Sequence, residues 1–192
     1  MAWTKAGSDT TTGADTAIRV SSMTASKFIQ TMAHSISTST VLVEEARIDN
    51  ISTSTYAQRH SINGGGDGTT SGDSWQIHYY GTASGTYFTV GYMCNISGEE
   101  KLRIHHRIEQ GTAGADQIPY RLEFVGKQTS TTQLTDYQQF DDGGGSYYDT
   151  GSNLSVLGSD GVESLNVQDG AVYYETDTNK SYVLSSNVWT EL

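Results

Sequence analysis

"KLRIHHRIE" (residues 101–109) alternates apolar and charged side chains along its length. Leu102, Ile104, His106 and Ile108 fall on one side of an extended chain and Arg103, His105 and Arg107 on the other, because successive strand side chains point to opposite faces. A period of two identifies a half-buried antiparallel strand, with one face on a core and one in solvent. The expectation is that the isoleucine side packs inward and takes His106 with it in a structural role. His105 is expected in solvent or at an interface.

Outward from this segment, eight others share its β character: "TAIRVSS", "KFIQTMAHSI", "TVLVEEARIDNIS", "TYAQRHSING", "DSWQIHYYG", "TYFTVGYMCNIS", "YRLEFVGKQ" and "QLTDYQQFDDG". Glycine-rich or Ser/Thr-rich turns separate them. The connections "GGGDGTTSGD" (64–73), "GTASGT" (81–86) and "GTAGADQIP" (111–119) are too short and polar to hold crossover helices, which argues against a parallel sheet. Residues 23–36 allow at most one helical turn, at Thr24–Lys27, and Val41, Val43, Ala46 and Ile48 lean towards strand.

Nine such strands must each bury a face, and two stacked antiparallel sheets do so economically. The predicted fold is therefore all-β: an antiparallel two-sheet sandwich, jelly-roll-like in the first instance and immunoglobulin-like in the second. It occupies residues 1–161 and closes with "SNLSVLGSDG" (152–161). Residues 162–192 form a linker and a small C-terminal β-hairpin, with strands at Ala171–Glu175 and Ser181–Ser185, a turn at "TDTNK" and a third short strand at Val188–Leu192. Asp177 and Asn179 suit the turn because their side chains bond nearby backbone and tolerate positive φ. So small a piece is marginal alone, so its aromatic residues Tyr173, Tyr174, Tyr182 and Trp189 are candidate interface residues.

The chain has 192 residues, 23 Ser, 25 Thr, 21 Gly and one proline, and 35% of it is hydrophobic, which predicts one domain with a modest core. Eleven basic residues against 22 acidic ones give a net charge of -11, which repels nucleic acid and anionic membrane alike. Cys94 has no internal partner and reads as a small buried hydrophobe. The amino terminus lacks a signal-peptide pattern and no stretch approaches a membrane span, so synthesis in a cytosol is expected.

Signals for chemistry are sparse. His105 and His106 diverge on a strand and cannot chelate one metal, and His34, His60 and His78 are scattered without H-x-x-x-H or H-E-x-x-H spacing. The carboxylate pairs Glu44-Glu45, Glu99-Glu100 and Asp141-Asp142 are chain neighbours, which does not supply the facing separation of glycoside hydrolysis. "NGGGDGTTSGD" lacks the ligand pattern of an EF-hand and the lysine of a P-loop. It is expected to be a flexible hairpin tip, with a weak calcium site at Asp67 and Asp73 as the alternative. N-x-[ST] sequons at Asn50, Asn95, Asn153 and Asn179 are expected to go unused. The tyrosine pairs at 79–80, 147–148 and 173–174, with Tyr87 and Tyr92, are expected mostly to pack and otherwise to offer a sugar-stacking platform. The chain is predicted to be non-enzymatic, with no catalytic residues, metal or cofactor.

The opening "MAWTKAGSDT…IRVSSMTASKFIQTMAHSI", the middle "GYMCNISGEEKLRIHHRIEQGTAGADQIPYRLEFVGK" and "SNLSVLGSDG" resemble virion structural proteins of marine tailed viruses of bacteria and archaea. The close "GAVYYETDTNKSYVLSSNVWTEL" is similar to a short hairpin module at the ends of phage virion and tail-fibre proteins. The resemblance implies a β-sandwich displayed on a virion surface and repeated by symmetry, with no catalytic residues to carry over. Within that class a head decoration or cement protein is expected, trimeric and bound to itself and a major capsid protein, because the chain has no long fibrous repeat, no heptads and no second large domain. The competing expectation is a tail or fibre component, or a separate carbohydrate-binding module, that recognises a host glycan. The hairpin is expected to be an attachment element.

Overall fold

The computed structural model describes residues 3–37, 43–78, 85–110, 114, 118–143, 148–160, 170–186 and 188–192. In chain order the strands are β1 (Thr4–Thr10), β2 (Ala17–Val20), β3 (Phe28–Ser37), β4 (Glu44–Ile48), β5 (Tyr56–Ile62), β6 (Gly68–Gly72), β7 (Trp75–Gln76) and β8 (Gly85–Cys94). They continue with β9 (Lys101–Glu109), β10 (Tyr120–Gln128), β11 (Tyr137–Asp141), β12 (Asn153–Ser159), β13 (Val172–Glu175), β14 (Lys180–Ser185) and β15 (Val188–Glu191). No helix occurs among the described residues, Thr24–Lys27 included. The predicted all-β, antiparallel class is what forms.

Eight strands make one antiparallel sheet in the order β1-β12-β3-β8-β9-β10-β5-β6, and four make a second in the order β2-β11-β4-β7. The pairings nest: β5 with β6, β4 with β7, β3 with β8, β2 with β11 and β1 with β12. Strands β9 and β10 enter as an extra meander between β8 and β5. Along β1 to β5 successive strands alternate between the two sheets, so each turn carries the chain across the core.

The core lies between the sheets. Ile29, Ala33, Met93, Tyr87, Leu154 and Val156 come from the large sheet, and Ile18, Val20, Ala46, Ile48, Trp75 and Tyr137 from the small one. Trp75 ties the layers together: its indole packs edge-on against Tyr56 at 5.0 Å and donates from Nε1 to the Lys127 carbonyl at 3.1 Å. Gly126 makes room for it, since a Cβ there would sit 2.8 Å from that indole nitrogen.

Two strands escape the sequence reading. "TKAGSDT" forms β1, and the expected flexible tip at 64–73 contains β6, paired with β5 from Tyr56↔Gly72 to His60↔Gly68. Both are edge strands, poor in apolar residues, and their backbone pairing alone defines them. The linker expected at 162–169, and Tyr79, Tyr80 and Tyr147, lie outside the described residues.

The last three strands form their own sheet, in the order β13-β14-β15. Glu175 pairs with Lys180 across a turn in which Asn179 takes φ 57° and accepts from the Tyr174 hydroxyl at 2.9 Å. The hairpin and third short strand thus form where predicted, within a residue or so at each end.

Candidate functional site: an apolar outer face above a charged interior

On β9 the phase of burial is opposite to the expectation. Lys101, Arg103, His105, Arg107 and Glu109 point inward and are buried, with His105 2% and Arg107 0% exposed. Leu102 at 58%, Ile104 at 48% and Ile108 at 48% point out, and His106 goes with them. His105 is therefore the packed histidine, stacked on Phe124 at 4.3 Å, and His106 the exposed one.

Specific partners from the small sheet make this inversion tolerable, because a buried charge is costly unless paired and hydrogen-bonded. Arg107 forms a fully buried ion pair with Glu44 of β4. The other Glu44 oxygen accepts from Tyr148 Oη at 2.7 Å and Ser35 Oγ at 2.9 Å, while the guanidinium lies over the Tyr87 ring at 4.1 Å. Arg103 donates to the Tyr137 hydroxyl at 2.8 Å and sits over the Trp75 ring at 5.2 Å. Lys101 caps the Ile96 and Glu99 carbonyls at 2.6 and 2.7 Å.

Burial shifts the ionisation of several side chains around them. It drives the His78 imidazole, 4.0 Å from the Glu109 carboxylate, down to about 3, with the Arg107 charge adding to the effect. His105 is lowered well below its ordinary value by burial, then by Arg103 and Arg107. The Tyr148 hydroxyl is raised by burial and by the Glu44 charge beside it. Glu45, the other half of the first carboxylate pair, is buried too, bonded to Ser74, and raised by burial.

The opposite face of the large sheet gathers the apolar side chains that β9 does not send inward. Register places Tyr92, Ile104 and Val125 in one row, Phe28, Cys94 and Leu102 in the next, and Phe88 beside Ile108 on the other flank. Met32 and Val90, half-buried, fill the row between. Cys94 is thus half-buried on this outer surface instead of in the core. A shallow groove runs across these rows, with Trp3 at one side, 6.4 Å from the Tyr92 ring, and Arg59, Thr69 and Lys127 at the other. On this side of the sheet Arg59 pairs with Asp67 and Lys127 with Glu100 beside the groove, and Arg121 with Glu123 further along β10.

The hairpin residues singled out from sequence split between two faces. Tyr173, Tyr182 and Trp189 cluster on one face, ring centroids 6.3 and 6.1 Å apart, over the buried Leu184. Tyr174 lies on the other with Val172 and Val183. The outer groove was missed from sequence because the only available signal, the alternation in residues 101–109, does not say which face is inward.

The residues of the alternative calcium site each pair with a cation instead, Asp67 with Arg59 and Asp73 with Arg47. No group of three or more His, Cys, Asp or Glu arranged to hold a metal occurs among the described residues, and no helix among them is long and apolar enough to cross a membrane. Asn95 of the sequons is buried, its side chain bonded to Ser26 and Leu134 backbone, which rules out glycan attachment in the folded state. No protein family, curated protein or solved structure matches the chain.

Proposed function

We propose that the chain is a non-enzymatic structural protein of a virus particle, a decoration or cement subunit on its surface that binds copies of itself and a neighbouring virion protein such as the major capsid protein. The observation that carries this reading is the outward apolar face of β8, β9 and β10, because a contiguous apolar patch of this kind marks an association surface. The buried Arg107–Glu44 and Arg103–Tyr137 pairs agree with it, since each joins the large sheet to the small one. The nested strand pairing supports a jelly-roll winding for the sandwich, and the exposed Tyr173, Tyr174 and Trp189 support an attachment role for the hairpin.

A second reading, a fibre-borne or free module that binds a host glycan, draws on one feature. Trp3 and Tyr92 form an aromatic pair at one side of the groove, across from the polar Arg59 and Thr69.

Counting and locating the chain in purified particles separates the two. The decoration reading expects on the order of hundreds of copies on the head exterior, as symmetric repetition requires. A few copies at the tail tip, together with saturable binding on a sugar array that Tyr92→Ala abolishes, would replace it with the glycan reading.

A further inference from the structure

We infer that the outer face of the eight-stranded sheet is covered by the same face of a second copy of this chain, in a two-fold dimer. This rests on the proposed role in assembly and assigns the surface and the partner. Phe88, Tyr92, Leu102, Ile104, Ile108 and Val125 are each about half exposed on three adjacent strands. Together they present on the order of 600 Å² of apolar surface, at the upper limit for the largest patch of an ordinary monomer, ~300–600 Å². Adding the polar rim brings the face near the ~800 Å² that each partner of a standard interface buries.

Charge selects the occupant. The whole chain carries -11, yet among the described residues Arg59, Arg121 and Lys127 on this side of the sheet are each paired with an anion, Asp67, Glu123 and Glu100, so these charges cancel locally. A strongly charged partner, basic or acidic, gains nothing from such a surface. A second copy meets it with apolar rows against apolar rows and keeps the two acidic bodies' excess charge away from the contact. One patch used by both partners gives a closed two-fold pair. The twist of each sheet then sets the two strand directions ~30° apart, or near 90° in the orthogonal alternative. The pairing unit is then a dimer, where the sequence reading expects trimers.

Sedimentation of the full chain tests this at about 50 µM, above the micromolar weak end for interfaces of this size. The wild type is expected to sediment as a dimer. Ile104→Glu, at the centre of the Tyr92–Ile104–Val125 row, is expected to raise the dissociation constant at least a hundredfold, since the change enters both sides of the contact. Its far-UV circular dichroism and its unfolding midpoint as a monomer should stay unchanged. Should Ile104→Glu disturb folding, Val125→Thr, which keeps the β-branched shape, is expected to weaken the dimer at least threefold. Trp189→Ser should leave association intact. A wild type monomeric at this concentration, or a dimer that Ile104→Glu and Val125→Thr leave intact while Trp189→Ser dissolves it, overturns the inference. A monomer that still coats particles in high copy would sink the dimer and spare the decoration role, whereas a dimer absent from particles would do the reverse.

Discussion

Glu44 illustrates how a carboxylate survives in the interior: Arg107, Tyr148 and Ser35 occupy its two oxygens, leaving it little unmet demand for water. His78 shows the complementary solution, staying neutral. In the folded protein it ionises near about 3, while the ordinary value is 6.5, so between these pH values the unfolded chain binds the extra proton. Stability is therefore unaffected by this group above 6.5 and is lost progressively as pH falls through the window. His105, shifted in the same direction, adds to the loss. Replacing His78 by Phe, which keeps a ring near Tyr87, removes one of these protons. Urea midpoints of the variant should fall less between pH 6.5 and about 4 than those of the wild type. Parallel curves would show that His78 is not the buried neutral group described.

At the scale of elements, the three-stranded C-terminal sheet has a small aromatic cluster of its own, and among the described residues none beyond Val156 belongs to the main core cluster. Removal of residues 170–192 should therefore leave the two-sheet body folded, with its unfolding midpoint within a few degrees of the full chain, and, under the proposed decoration role, should weaken assembly on a particle. A truncated chain that fails to fold would place the hairpin in the core. The hairpin was legible in advance because Tyr and Val alternate around an Asp/Asn turn, which is all local information. Strand β6 was not, since Gly, Thr and Ser spell a turn until β5 supplies the hydrogen bonds. For β9 the sequence reveals the period but not the phase. Which face turns inward depends on Glu44 and Tyr137, residues distant in the chain that the small sheet brings opposite Arg107 and Arg103. The apolar groove was hidden for the same reason.

For the whole molecule, the consequence is a sheet with charge and hydrogen bonds on its covered side under β9 and hydrocarbon on its open side. Such an arrangement leaves Leu102, Ile104 and Ile108 about half exposed on the open side. All of it depends on the orientation of one strand, and two adjacent residues report that orientation. Denaturant unfolding of Arg107→Gln and Ile108→Gln, at concentrations where the chain is monomeric, measures it. Arg107→Gln strands Glu44 without its cation and should cost about 3–5 kcal/mol. Ile108→Gln, on the open face, should change stability by less than about 1 kcal/mol. The reverse order, with Ile108→Gln the damaging change and Arg107→Gln nearly silent, would contradict the account.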